Sequence, residues 1–312
     1  MSILPYKKIY FVGIKGVGMT SLAIIAKQAG YEVSGSDVQD VFITDSVLAK
    51  NGITPDVGFQ TETVSMFIEE NIKKTLVIST AAHGGFENPQ VMWAKGKNVD
   101  ILSFGQALGM FQYGTLLNRQ DVQGISVAGS HGKTTTTAML ATALSFMKQD
   151  PSYVIGTSTG GALGDAGHLG KGKYFVVESD EYVSDLTFDR TPKFLYQHPF
   201  AAIITNIDFD HPDVFPDLNS VYDAFKTFVK NIQQQGVLVI LGDDPKNKDI
   251  IKNVSDGVHT VTFGLDNSNR YVAKNITHTQ TGVAFTVVCD NKELGTVTLS
   301  VIGLHNVLNS LS

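Results

Sequence analysis

The sequence predicts an α/β protein built from two parallel-sheet domains, the second prolonged by antiparallel strands. Three observations carry this. Short apolar runs alternate with helical periodicity from residue 9 to about residue 241. Two of those runs open directly onto glycine-rich turns, Gly13-Ile14-Lys15-Gly16-Val17-Gly18-Met19 and Gly129-Ser130-His131-Gly132-Lys133-Thr134-Thr135. From Val258 onward strand follows strand, with turn signals such as Asp266-Asn267 and Asp290-Asn291 between them.

Residues 9–13 read as a buried strand, 19–28 as a helix closed by Gly30, and 32–36 as a second strand, which makes a βαβ opening. Strand-like runs at 76–79 and 99–102, with a helix over 89–95 between them, continue the alternation. This predicts a first, Rossmann-like domain over 1–118. The second domain, 119–312, starts at the strand 125–127 and takes further strands at 174–177, 202–205 and 237–241, with a helix over 218–232. Strands at 260–263, 271–273, 283–288 and 296–301 form its expected antiparallel extension.

Composition narrows the function classes. The 312 residues carry a formal net charge of −6, which argues against a nucleic-acid surface, so any anionic ligand must be met by local groups. The single cysteine, Cys289, lies in an alternating run and reads as a strand residue; no disulfide can form within the chain. The N-terminus lacks a signal-peptide core and no stretch approaches the roughly 20 apolar residues of a membrane span, so the protein is expected to be cytoplasmic, without membrane insertion. Oligomeric state is left open.

The second glycine loop is built to hold nucleotide phosphates. Several backbone N–H donors must converge on one point, and Gly129 and Gly132 let the main chain approach without a Cβ. The following helix adds its positive end, Lys133 a point charge for the β/γ oxygens, and Thr134 a hydroxyl able to ligate phosphate-bound Mg²⁺. The spacing is the shortened G-x-x-G-K-T, with Val127 at the first glycine position of the general pattern. Four consecutive threonines are poor helix formers, so this helix start should gain from something besides propensity, such as a bound ion.

Two acidic clusters follow strand ends, Glu178-Ser179-Asp180-Glu181 and Thr205-Asn206-Ile207-Asp208-Phe209-Asp210-His211-Pro212-Asp213. Strands flanking the phosphate loop would bring both to the same Mg²⁺–phosphate site, and the sequence does not separate the carboxylates within each. Glu178 and His211 are the favoured functional residues; Asp180 and Asp208 suit helix caps or solvated loops. The first glycine loop is spaced G-x-x-G-x-G, with Lys15 where the dinucleotide fingerprint needs glycine, which disfavours NAD. Asp37, at the end of the second strand, is placed to accept from a ribose hydroxyl. His83, His168, His198, His259, His278 and Trp93 read as structural.

Taken in order, AGSHGKTTTT, ESDEY, TNIDFDHPD and GLHNVLNSL resemble the Mur ligases of peptidoglycan synthesis, and FVGIKGVGMTSLA followed by VSGSD resembles their L-alanine-adding branch. The resemblance covers about residues 9–312 and implies ATP and Mg²⁺ as cofactors, with UDP-N-acetylmuramate and L-alanine as substrates. It places Gly129, Ser130, His131, Gly132, Lys133, Thr134 and Thr135 at the ATP phosphates, Asn306 and Asn309 at the adenine, and Thr134, Glu178 and His211 on Mg²⁺, with Lys133, Glu178 and His211 as the catalytic set. Gly16, Val17, Gly18, Met19, Ser36 and Asp37 would hold the UDP portion. Lys226 stands where some sister ligases carry a carbamylated lysine, which the alanine-adding branch does not require. The family has a third, amino-acid-presenting domain, expected to be missing here because the sequence stops just after GLHNVLN; the expectation is a chain that binds nucleotides but ligates inefficiently. Other readings are a recycling ligase that joins a tripeptide to the same UDP-sugar, a non-catalytic UDP-sugar or ATP-binding regulator, and an NAD-dependent dehydrogenase fused to an ATPase.

Overall fold

The run Lys8–Val12 is buried on both faces, as a central strand of a parallel sheet must be when helices cover it above and below. In the computed structural model, which describes residues 4–312, it lies at the middle of a five-stranded sheet. The strand order is Asp56–Val57, Glu32–Asp37, Lys8–Val12, Thr75–Ser79, Asp100–Ser103, and every pairing is parallel. The order reverses beside Lys8–Val12, the position at which doubly wound sheets bind ligands. Helix Val17–Gln28 buries Met19 to Ala26, while Tyr10, Val12 and Val77 pack with Val64, Ile68, Val91 and Ala94.

The chain divides into two compact units. One comprises the described residues up to Val122 together with Ala141–Val176 and Val183–Gln197; the other comprises Gln123–Leu140, Val177–Tyr182 and His198–Ser312. In the second unit a mixed sheet runs Lys292–Leu299, Val283–Cys289, Tyr271–His278, His259–Gly264, Val237–Leu241, Ala201–Ile204, Gln123–Ala128. The parallel part reaches further than the sequence suggests. His259–Gly264 pairs parallel with Val237–Leu241, and Tyr271–His278 pairs parallel with His259–Gly264, so antiparallel pairing begins only at Val283–Cys289. A parallel neighbour needs a crossover, which the five-residue helix Asn247–Ile251 supplies.

Helix Leu218–Val229 opens on a capping box in which Asp217 accepts from the Ser220 N–H at 2.8 Å. The last helix, Leu304–Leu311, sets Val307 into a cluster with Ala273, Val283 and Phe285. Among the described residues no helix is long and apolar enough to cross a membrane.

Candidate active site

Strand Gln123–Ala128 ends on a loop that the neighbouring loop braces from the side. The Ser130 N–H donates to the Asn206 carbonyl at 3.1 Å and the His131 N–H to Asn206 Oδ1 at 2.9 Å. Thr205 Oγ1 and Asn206 Nδ2 both donate to the His131 carbonyl, at 2.6 and 2.9 Å, and the Asp208 N–H donates to Ser130 Oγ at 2.9 Å. The loop's shape is thus fixed by protein groups alone. Gly129 and Gly132 sit at φ of +135° and +82°. A Cβ at Gly129 would overlap Thr205 Oγ1, and one at Gly132 would overlap Asn309 Oδ1.

These braces occupy the Ser130 and His131 N–H groups. The donors left for an anion are those of the first turn of helix Lys133–Phe146, where the first intrahelical bond runs from the Thr136 N–H to the Gly132 carbonyl at 2.9 Å. The threonine run is also satisfied from within. Thr134 Oγ1 donates to Glu178 Oε1 at 3.0 Å, Thr136 Oγ1 to the Asn309 carbonyl at 3.4 Å and Thr137 Oγ1 to the Lys133 carbonyl at 2.8 Å, while Thr135 is exposed. Three of the four hydroxyls therefore support the helix start without any ligand.

The structure separates the carboxylates that the sequence left together. Glu178 faces Thr134, whereas Glu181 Oε2 pairs with Lys133 Nζ at 2.9 Å. Asp180 accepts from the Tyr182 N–H at 3.2 Å, a turn-forming role. Glu181 is 1% exposed, and its other oxygen, Oε1, has no hydrogen-bond partner among the described residues. Burial pushes the Glu181 carboxyl above the ordinary range, and the Lys133 charge opposes that shift. Ligand atoms of Glu181, Asp210 and His211 lie within 4.8 Å of one another. His211 therefore meets Glu181 and Asp210, while the expected partners Thr134 and Glu178 form a separate pair 3.0 Å apart. An orphaned buried carboxylate oxygen beside a second carboxylate fits a hard divalent cation such as Mg²⁺, which takes oxygen ligands.

Asn309 is buried with its amide against Gly132, and its Nδ2 donates to Asn306 Oδ1 at 3.5 Å. Asn306 Nδ2 donates to the Ile302 carbonyl at 2.8 Å. Asn309 thus stands at the phosphate loop, and Asn306 braces it from one helical turn away. Lys226 is paired with Asp223 at 2.8 Å, one helical turn away.

In the first unit, the other glycine loop is held from beneath. The Gly13 N–H donates to the Ser36 carbonyl at 2.9 Å, a Cβ at Gly13 would overlap Thr80, and one at Gly18 would strike the Phe104 ring at 2.6 Å. Gly16 is the N-cap of helix Val17–Gln28, and the Met19 side chain is buried. Ser36 Oγ donates to Gln90 Oε1 at 2.5 Å. Asp37 is held by protein donors: Oδ2 accepts from the Lys15 N–H at 2.7 Å, Oδ1 from the Val38 N–H at 2.8 Å, and His83 Nε2 lies 3.3 Å from Oδ1. Asp37 thus organises the loop here, and His83, read from the sequence as structural, stands beside it at a φ of +57°. Asn206 stands in the motif TNIDFDHPD, directly after a strand that flanks the phosphate loop, but sequence reasoning gave it no role of its own.

Residues 8–112 match the Mur ligase family, catalytic domain, and residues 127–312 match the Mur ligase middle domain. The chain is 37% identical over 305 residues to the UDP-N-acetylmuramate–L-alanine ligase of Desulfitobacterium hafniense, covering 97% of this chain and 62% of that protein. Among solved structures it is similar to the UDP-N-acetylmuramate:L-alanyl-γ-D-glutamyl-meso-diaminopimelate ligase of Neisseria meningitides, with 28% identity, a TM-score of 0.82, and coverage of 98% of this chain and 91% of that one. It is also similar to the UDP-N-acetylmuramate-alanine ligase of Thermotoga maritima, with 26% identity, a TM-score of 0.73, and coverage of 97% and 63%. The chain belongs to the Mur ligase family, ATP-dependent amide-forming ligases of peptidoglycan synthesis.

Proposed function

We propose that residues 1–118 bind a UDP-sugar and residues 119–312 bind ATP with Mg²⁺, in a ligase that joins L-alanine to UDP-N-acetylmuramate. The carrying observation is the Lys133–Glu181 pair at the start of helix Lys133–Phe146, with Glu181 Oε1 left unpartnered. The chain spans 62% of the length of the Desulfitobacterium relative, and the complete reaction is part of this proposal.

The reaction would bring two anions together: the substrate carboxylate takes the γ-phosphoryl group of ATP with release of ADP, and the amine then attacks the acyl phosphate, expelling inorganic phosphate. Lys133 exchanges its bond to Glu181 for the phosphate oxygens and lowers that repulsion, while the first-turn N–H groups of the helix orient the donor. Thr134 and Glu178, or Glu181, Asp210 and His211, are the residues that would hold Mg²⁺, which when bound would supply further charge neutralisation.

A second reading keeps the UDP-sugar but replaces L-alanine by a peptide. It is favoured by the higher TM-score to the Neisseria peptide ligase, 0.82 against 0.73 for the Thermotoga enzyme, whereas the 37% identity to the Desulfitobacterium protein favours L-alanine. Calorimetric titration of this chain with ADP–Mg²⁺ and with UDP-N-acetylmuramate tests the shared core, and two independent sites are expected. Loss of either site would remove the reading. Phosphate release by the complete ligase, with L-alanine against the tripeptide, decides the amine.

A further inference from the structure

His211 lies in a conformation that few side chains adopt, at a φ of +57°. Its backbone is well fastened. The Val214 and Phe215 N–H groups both donate to its carbonyl at 2.9 Å, and its own N–H donates to Asp210 Oδ1 at 2.8 Å. The imidazole is held differently. Its closest charged neighbour, Asp210 Oδ2, is 3.8 Å from Nε2, too far for a hydrogen bond, so neither ring nitrogen is fixed by that carboxylate. What meets the ring is Tyr182, edge-on, with centroids 4.9 Å apart and planes at 70°.

Tyr182 is itself anchored at both ends. Its N–H donates to Asp180 Oδ1 at 3.2 Å, and its phenol donates to Asp213 Oδ2 at 2.6 Å, the short distance of a charge-assisted bond. Asp213 is two residues past His211, and Tyr182 directly follows Glu181. One side chain thus joins the segment carrying Glu178 and Glu181 to the segment carrying Asp210 and His211.

We propose that Tyr182, anchored by Asp213, is a positioning residue that sets the plane of the His211 imidazole and so holds its nitrogen toward Glu181 and Asp210. The inference rests on the reading of that cluster as a cation site, and it adds a residue that touches neither cation nor substrate. A ring free to turn about χ1 and χ2 would present its nitrogen to the cluster only part of the time, so affinity for a divalent cation falls while the fold stays intact.

The test uses this chain with Tyr182→Leu, which removes ring and hydroxyl, Tyr182→Phe and Asp213→Ala, which remove only the anchor, and His211→Ala as the reference. Mn²⁺ affinity in the presence of ADP is read by electron paramagnetic resonance, and the His211 ring by ¹⁵N NMR of the metal-free protein. Tyr182→Leu is expected to weaken Mn²⁺ about tenfold, and the two anchor variants by a smaller factor in the same direction. ADP affinity without metal should stay at the wild-type value, and the His211 ring signals should shift in all three. If His211→Ala weakens Mn²⁺ but the Tyr182 and Asp213 variants do not, the positioning role is wrong while the cation reading stands. If His211→Ala leaves Mn²⁺ affinity unchanged, the cation reading fails and takes the proposal with it. Should Tyr182→Leu not fold, the two anchor variants, which keep the ring, decide the outcome alone.

Discussion

The two glycine loops each follow a buried parallel strand and each lead into a helix, yet they handle charge in opposite ways. In the second unit Lys133 meets a single buried carboxylate, Glu181, that has an unpartnered oxygen. In the first unit Lys15 is consumed by the protein. Its Nζ donates to the Val38 and Asp40 carbonyls at 3.0 and 2.8 Å and lies 3.2 Å from Asp45, while its N–H is taken by Asp37. Strapped in this way, Lys15 fixes the 38–45 segment and leaves the helix N-terminus to offer backbone donors alone. Lys133 has one short bond, to Glu181, and a long one of 3.5 Å to the Ser130 carbonyl to give up before it reaches a ligand. The comparison separates a loop that binds by shape from one that can move a charge.

The sharpest way to break this contrast is Lys133→Ala. It removes the charge offered to phosphate and leaves Glu181 buried without its partner. Breaking a buried pair from one side costs about 3–5 kcal/mol, though the raised pKa of Glu181 lets its carboxyl take up a proton and soften the loss. Calorimetry should show ATP affinity falling at least a hundredfold on the order of charged hydrogen bonds lost, and a melting curve should show the lost stability partly regained in Lys133→Ala/Glu181→Gln. An unchanged ATP affinity would mean that Lys133 is a structural ion-pair partner only.

Gly132→Ala comes next, because the φ of +82° and the overlap with Asn309 Oδ1 act together. Strain of this kind costs on the order of 1–3 kcal/mol. Adding Asn309→Ala relieves the overlap but not the dihedral, so denaturant midpoints should recover only in part. Full recovery would show that crowding alone, and not the left-handed backbone, demands glycine there.

Lys15→Met tests the other loop. Removing bonds from a charged amine to two carbonyls is expected to cost about 1–3 kcal/mol, loosening the 38–45 segment without touching the second unit. UDP-sugar binding should weaken while ATP affinity stays at the wild-type value. Equal losses at both ligands would erase the proposed division of labour.

Much of this contrast was visible in the sequence, and the rest was hidden for physical reasons. The middle of the five-stranded parallel sheet is legible from the apolar runs in Lys8–Val12 and Thr75–Ser79, since strands covered on both faces read that way. The polar Glu32–Asp37 is placed only by the βαβ pattern, and Asp56–Val57 is too short to show. Lys133 and Thr134 are legible because their spacing from the glycines is the chemistry. The choice between Glu178 and Glu181 is not, because each could turn toward the loop until the geometry after the strand is known. The bracing of the loop by Asp37 is not legible, because its N–H donors come from Lys15 and Val38 main chain, which every residue possesses. Asn206 works through the same kind of backbone bracing. The parallel placement of His259–Gly264 escapes for a related reason: alternation along a strand reports which faces are buried, not the direction of its neighbour.

The smallest expected effect is at Thr134, and it separates two explanations of the threonine run. Thr134→Val keeps the shape and removes the hydroxyl that donates to Glu178 at 3.0 Å. If the hydroxyl served only the helix start, the change would cost about 1 kcal/mol of stability, the usual worth of one hydrogen bond, with ATP affinity the same in Mg²⁺ and in EDTA. If Thr134 and Glu178 form one side of the cation site, the stability change is similar, but the affinity gained on adding Mg²⁺ shrinks severalfold. Thr137→Val provides the control, because its hydroxyl donates to the Lys133 carbonyl at 2.8 Å, away from any carboxylate, and should alter stability alone. A Mg²⁺-dependent loss in Thr134→Val that Thr137→Val does not share would assign the first threonine to the ligand and the fourth to the helix.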